Sequence, residues 1–337
     1  MRQILEQNLN IKKTKWPDFF RCINEELVIL EDNLRHKLPT KSSLLKEIVS
    51  YIFNAGGKRL RPATCFLVAK GTGGITEKHM VLSELTELIH TASLIHDDII
   101  DSAKLRRGRE TISNLWNDKI SVITGDFLFA QASVRLGQLE NTDIVKIYAK
   151  VLSDLCNGEI EQYSLLFNTN ISWDDYINKS KTKTASLFAA CSKSAAILNN
   201  VDSLSIKMAN EYGNSLGIAF QIVDDILDFT GSSAELGKEA GSDLKQGIIT
   251  APALFAINSA DNRANQLKTI IENKFNKASD DFKKAIQLIH ELGGCEKAKL
   301  LALEYSEKSK ESLSFIKDNE IKSYLSQAAD FVAERIS

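Results

Sequence analysis

Apolar residues recur every three or four positions through most of the chain, the period of an α-helix that buries one face. Between Ser83 and Asp101 the stripe is Leu85, Leu88, Ala92, Ile95 and Ile99, and from Met208 to Phe229 it includes Leu216, Phe220, Val223 and Leu227. Similar patterns predict helices over about 18–35, 44–54, 62–70, 120–138, 143–167, 173–199, 250–258, 264–274, 280–292, 295–316 and 321–336. Pro17, Pro39, Pro62 and Pro252 are the only prolines and break none of the long segments, whereas a β-rich chain of this size needs many more turn residues. The pattern predicts an all-α fold, a single large helical bundle without a dividing linker. That makes one domain of 1–337, with a motif-bearing core at about 50–260 and C-terminal helices at 264–337. Gly231, Gly237, Gly241 and Gly247 mark 230–249 as the expected mobile connection, a segment suited to a closing lid.

Composition narrows the function classes. With 337 residues, 43% apolar and 26% charged, the chain can bury a large core, which excludes a mostly disordered or fibrous protein. Basic and acidic residues number 42 and 44, a net charge of −2, so no global field points to nucleic acid or an anionic membrane. The five cysteines (Cys22, Cys65, Cys156, Cys191 and Cys295) form no CxxC pair, which argues against a disulfide framework or a zinc site and suits a reducing compartment. The longest uncharged stretch, Gln246 to Ala260, has 15 residues and contains Gly247 and Pro252, too short and too broken to span a bilayer. The first twenty residues lack an apolar signal core and fit a transit peptide poorly. A soluble protein that stays where it is made is expected.

The strongest chemical signal is DDxxD, present as Asp97, Asp98, Asp101 and again as Asp224, Asp225, Asp228. Residues i and i+4 share a helix face, so each motif is a patch of like charge that costs free energy unless a cation neutralises it. Oxygen-only donors suit magnesium, which keeps waters and shares its shell with substrate phosphates. A second signal is GGKRLRP at 56–62, where glycines allow close approach of the backbone and Lys58, Arg59 and Arg61 can donate to a phosphate. Lys104, Arg106, Arg107 and Arg109 follow the first triplet, and Lys181, Lys183, Lys238 and Lys245 lie further along. A chain with no net positive charge thus sets cations beside both acidic motifs, which describes a site for two phosphorylated ligands and magnesium. His90 shares the face of Asp97 and can reach a diphosphate, whereas His96 points elsewhere; Gln221 precedes Asp224 by one turn.

These motifs, together with KTASL at 183–187, FQIVDDILDFTG and LGKEAGSDL, resemble the trans-isoprenyl diphosphate synthases, closest to the long-chain octaprenyl and solanesyl types. The resemblance implies the isoprenoid-synthase helical bundle and a prenyltransferase that elongates an allylic diphosphate with isopentenyl diphosphate for a quinone side chain. It implies Lys58, Arg61, His90 and Arg107 at isopentenyl diphosphate, and Asp97, Asp101 and Asp224 at two or three Mg2+ ions bridging the allylic diphosphate, with Arg106, Lys183 and Lys238 assisting. Asp98, Asp225 and Asp228 complete the two catalytic motifs, and Thr184 and Gln221 would face the developing allylic cation. Many members carry a lysine at the position of Ile248, whereas this chain reads GIIT there, a feature that long-chain members share. Ala92 and Ser93, small where short-chain members place aromatic rings, imply a long product. A homodimer is expected, cytoplasmic in a bacterium or in the plastid stroma if organelle-encoded. The competing readings are a geranylgeranyl synthase, a terpene cyclase, which would not need GGKRLRP, and a non-catalytic or partner-dependent subunit of a heteromeric synthase, which should have lost a motif.

Overall fold

Helix starts are fixed locally by short polar side chains. Ser42, Asn141, Asp202 and Asp318 each accept hydrogen bonds from backbone amides of the turn that follows, the N-cap arrangement that satisfies otherwise orphaned donors. Reciprocal capping boxes at Thr76 and His79 and at Ser172 and Asp175 start two more. The computed structural model describes residues 17–106, 108–231, 240–276 and 278–335. After a 3₁₀ turn at Asp18–Ile23 come α1 (Asn24–His36), α2 (Ser43–Asn54), α3 (Leu60–Thr72) and α4 (Glu77–Ile100). A small antiparallel hairpin, β1 (Leu105–Arg106) and β2 (Arg109–Glu110), leads to α5 (Ile112–Leu115), α6 (Asp118–Gln138), α7 (Thr142–Ser164) and α8 (Trp173–Ser180). A π turn at Lys181–Ala185 joins α8 to α9 (Ser186–Leu198), which is followed by α10 (Ser203–Thr230) and the short α11 (Ser242–Lys245). Then come α12 (Ala251–Ile257), α13 (Arg263–Glu272), α14 (Asp281–Glu291), α15 (Gly294–Glu311) and α16 (Asn319–Glu334).

The expected all-α architecture is what forms, and the two longest helices are the central ones. α4 packs against α3, α6 and α9, and α10 packs against α9, α15 and the π turn. α10 contributes to two apolar cores: Ala209, Tyr212, Leu216 and Ala219 belong to one, and Ile218, Ile222, Val223 and Ile226 to the other. Gly217 sets the approach of α10 to the π turn, since a Cβ there would drive into the Ala185 backbone. That contact brings Thr184 within hydrogen-bond reach of Gln221 of α10, one turn before the second acidic motif.

Three features differ from the pattern-based expectation. The segment expected as one helix over 173–199 contains the π turn, an extra residue that barely disturbs the apolar period. The hairpin is too short to show alternation. In the segment expected to be mobile, 232–239 lies outside the described residues, but 240–249 is tied down: Gly241 N–H donates to the Asp228 carbonyl at 2.7 Å and Phe167 N–H to the Gly247 carbonyl at 2.7 Å.

Candidate active site

The first acidic triplet ends α4, and its three carboxylates divide their duties. Asp98 is buried and accepts from Arg106 Nε at 2.6 Å. The hairpin makes this possible, because Gly108 with φ of 72° turns the chain in the left-handed region and lays Arg106 back over the helix end. Asp97 and Asp101 share a different neighbourhood, dominated by Lys183. Burial pushes Asp97 up to about 6, with Lys183 opposing and Glu159 reinforcing, and Asp101 is raised for the same reasons. Lys183 itself pairs with Glu159 of α7 at 2.7 Å and reaches Gln162 at 3.4 Å. Burial works to lower its pKa, but Glu159, Asp97 and Asp101 outweigh that and raise it.

The second triplet divides the other way, with Asp225 and Asp228 held by the protein and Asp224 left to the site. Thr184 Oγ1 donates to Gln221 Oε1 at 2.5 Å, Gln221 Nε2 donates to Asp225 Oδ1 at 2.7 Å, and Tyr176 OH donates to Asp225 Oδ2 at 2.6 Å. The Ala251 amide also donates to Asp225 Oδ2, at 3.2 Å. Burial still lifts Asp225 to about 6, against Lys179 and these donors. Asp228, buried, accepts from the Asp243 amide at 3.1 Å and so anchors α11. Asp224 is half-buried and the most accessible of the three, its side chain 39% accessible, and Arg335 NH2 meets it at 2.9 Å from the end of α16. Burial raises Asp224, with Arg335, Arg61 and Lys58 lowering it in that order.

The basic motif splits at Arg59, whose φ of 48° opens α3 in the left-handed region. Arg59 points inward to Glu31 at 2.5 Å and Glu87 at 2.6 Å, a buried structural cluster. Arg61 packs over the Phe188 ring at 4.4 Å and meets His90 Nε2 at 3.3 Å. Because guanidinium only donates, His90 Nε2 accepts and the ring proton sits on Nδ1. Lys58 is exposed, 5.6 Å from the Phe331 ring. Thus Lys58, Arg61, His90 and Asp224 form one group, and Asp97, Asp101, Lys183 and Arg106 another. Arg107 and Lys238, both expected at the diphosphates, lie outside the described residues.

Ala92 is fully buried, and Ser93 beside it turns its hydroxyl to the His90 carbonyl at 2.9 Å. His96 contacts the Val122 carbonyl at 3.2 Å over Gly125, in keeping with a packing residue. Sequence reasoning missed Glu159, Tyr176, Lys179 and Arg335. Only Lys179 carried a signal, one turn before Lys183; the others are brought in by tertiary packing alone.

The donor set suits a hard divalent cation: the carboxylates that face the site offer oxygen alone, and Asp97 and Asp224 are both raised by burial. Among the described residues no three such groups already converge on one point.

Comparison with known proteins points to one family. The polyprenyl synthetase family model matches residues 42–289. A chloroplastic solanesyl-diphosphate synthase 2 of Oryza sativa subsp. japonica is 42% identical over 320 residues, 93% of this chain and 78% of the relative. A prenyl transferase of Porphyra purpurea is 43% identical over 324 residues, 94% of this chain and 98% of the relative. Among solved structures, a polyprenyl synthase from Caulobacter crescentus complexed with calcium and isoprenyl diphosphate superimposes with a TM-score of 0.88 at 31% identity, covering 95% of this chain and 97% of that one.

Proposed function

The chain belongs to the polyprenyl synthetase family, and on that premise we propose a magnesium-dependent prenyltransferase acting as one catalytic domain. It elongates an allylic prenyl diphosphate with isopentenyl diphosphate to a long all-trans polyprenyl diphosphate, the precursor of a quinone side chain. The observation that carries this reading is that Asp97 and Asp101 share Lys183, while Asp224 shares Lys58 and Arg61. Two acidic faces with separate cation groups suit two diphosphates in one site.

Magnesium held by Asp97, Asp101 and Asp224 would neutralise charge on the departing diphosphate. The protein's own part is preorganised. Asp98 fixes Arg106 and Glu159 fixes Lys183 before substrate arrives, so little reorganisation is needed as charge develops on the leaving group. Lys58, Arg61 and His90 hold isopentenyl diphosphate, Arg61 being braced on the Phe188 ring. The oxygens of Thr184 and Gln221 stabilise the allylic carbon as its C–O bond breaks. The double bond of isopentenyl diphosphate then attacks that carbon, a new C–C bond forms, and a proton leaves. Arg107 and Lys238 belong to the same reading as further diphosphate ligands. The growing tail runs back along α4 past Ser93 and Ala92. No helix among the described residues is long and apolar enough to cross a membrane. The reading places the protein in a plastid or a bacterial cytoplasm, in keeping with the chloroplastic relative. It also includes a homodimer, supported by Val122, Ile123 and Val134, which are 43%, 52% and 51% exposed on α6.

The test is incubation of purified protein with magnesium, isopentenyl diphosphate and allylic primers of several lengths, followed by chromatography of the products. The expected outcome is an octaprenyl-to-decaprenyl product, lost on chelation, with Asp97→Ala and Asp224→Ala each slower by about a thousandfold. Near-normal turnover of either variant at saturating magnesium would sink the two-motif reading.

A further inference from the structure

Lys179 in the last turn of α8 stands out among the cations around the site. Its neighbour Lys183 is paired with Glu159. Lys179 lies in the fields of Asp225, Asp243 and Glu159, with Lys183 opposing, yet among the described residues no carboxylate is within ion-pair distance of its ammonium. Its one close partner is the Tyr176 ring, 5.6 Å from Nζ. Burial lowers its pKa. An ammonium half removed from water without a counter-ion is unfavourable. Covering Tyr176 does not account for it, since methionine or leucine would cover the ring without desolvating a charge.

The surroundings give that charge a direction. Lys179 lines a narrow pocket with Gln162, Asp175, Tyr176, Ile248 and Ile249, Asp175 being the one carboxylate of its lining. Gln162 is also the residue that Lys183 reaches, so the pocket borders the first cation group. The 246–250 loop contributes Ile248 and Ile249 to that lining and brings no charge. The π turn at Lys181–Ala185 follows directly, and Thr182 Oγ1 donates to the Asn178 and Lys179 carbonyls at 3.1 Å each. This extra residue in the helix, a feature frequent at functional sites, lets Lys183 serve the first acidic motif while Lys179 stays by Asp225 of the second.

We propose that Lys179 binds the diphosphate of the allylic substrate beside Lys183, supplying from α8 the positive charge that the loop carrying Ile248 lacks. The assignment rests on the prenyl-transfer reading above and names a binding residue within it. The test uses the full chain with magnesium, measuring inorganic diphosphate binding by calorimetry and steady-state kinetics with each substrate varied. Lys179→Met keeps the stem over Tyr176 and removes the charge, and Lys179→Gln is the second variant should the first melt early. Loss of one charge-assisted hydrogen bond is expected to weaken diphosphate binding and raise KM for the allylic substrate by about tenfold or more, leaving KM for isopentenyl diphosphate within about twofold. Adding Ile248→Lys to Lys179→Met should restore both, a rescue that a packing role would not give. Wild-type protein that makes polyprenyl product alongside variants with unchanged diphosphate affinity, or with both KM values raised equally, overturns this assignment alone. Wild-type protein that makes no product overturns the synthase reading and this assignment with it.

Discussion

Arg59 and Arg61, two residues apart, end with opposite duties. Arg59 turns into the protein against Glu31 and Glu87, and Arg61 turns toward His90 and the site. The left-handed φ at Arg59 separates them, and nothing in the letters GGKRLRP announces it. The same limit applies to the acidic motifs. Their spacing reveals the chemistry, but the hairpin decides that Asp98 serves Arg106, and the neighbouring Tyr176 and Gln221 decide that Asp225 is committed to the protein. A different residue governs response to acid. His79 is fully buried, its Nδ1 accepting from the Thr76 amide at 3.0 Å, so Nε2 donates to the Ala195 carbonyl at 3.1 Å. Burial lowers its pKa against that carbonyl, so the unfolded chain binds the proton more readily. Its contribution to stability is present above the unfolded histidine value of about 6.5 and is lost as pH falls through it. The raised Asp97 and Asp225 act in the opposite sense, so the comparison must be with a variant. Thermal melts from pH 7.5 to 5.5 should show a larger drop for the wild type than for His79→Gln; parallel curves would refute the assignment.

At the scale of elements, the long helices were legible from their apolar period, including α3 and α9, which are buried on nearly every side rather than along one stripe. The π turn was not, because it adds one residue to an apolar period that carries on through Leu187, Phe188 and Cys191; Gly217 on α10, far away in sequence, gives it room. α4 combines three tasks: carboxylates at its end, His90 two turns earlier on the face of Asp97, and the small side chains Ala92 and Ser93 between. Ala92 is fully buried, and a helix rises about 5.4 Å per turn, close to the length of one isoprene unit. Ala92→Phe is therefore expected to shorten the product while leaving the first condensation intact. Overpacking should lower stability by about 1–3 kcal/mol, so melting is measured alongside product chromatography. A folded, active variant with an unchanged product distribution would mean that the tail leaves α4 by another route.

At the scale of the whole molecule, α10 is shared by both cores, so substitutions on its two faces should report on different halves of the bundle. The outer face of α6 carries Val122, Ile123 and Val134, turned away from α4. If the proposed homodimer forms through this face, the wild type should be a dimer in light scattering and Ile123→Asp with Val134→Asp a monomer with little change in melting, since both side chains are exposed in the single chain; a wild-type monomer would refute the dimer, and a dimer that survives both substitutions would refute this interface. The contact between Arg335 and Asp224 ties the far end of the fold to its chemistry. A cation drawn to Asp224 competes with Arg335, and by thermodynamic reciprocity whatever steadies Arg335 weakens that cation's binding by the same factor. Amide hydrogen exchange in the last turn of α16 should accelerate as magnesium and inorganic diphosphate are titrated in, and Arg335→Ala should move the binding midpoint to lower magnesium. Exchange that ignores the titration would show that the two events are independent. The last turn of α16 would otherwise serve as a gauge, readable by exchange, of how full the proposed catalytic centre is.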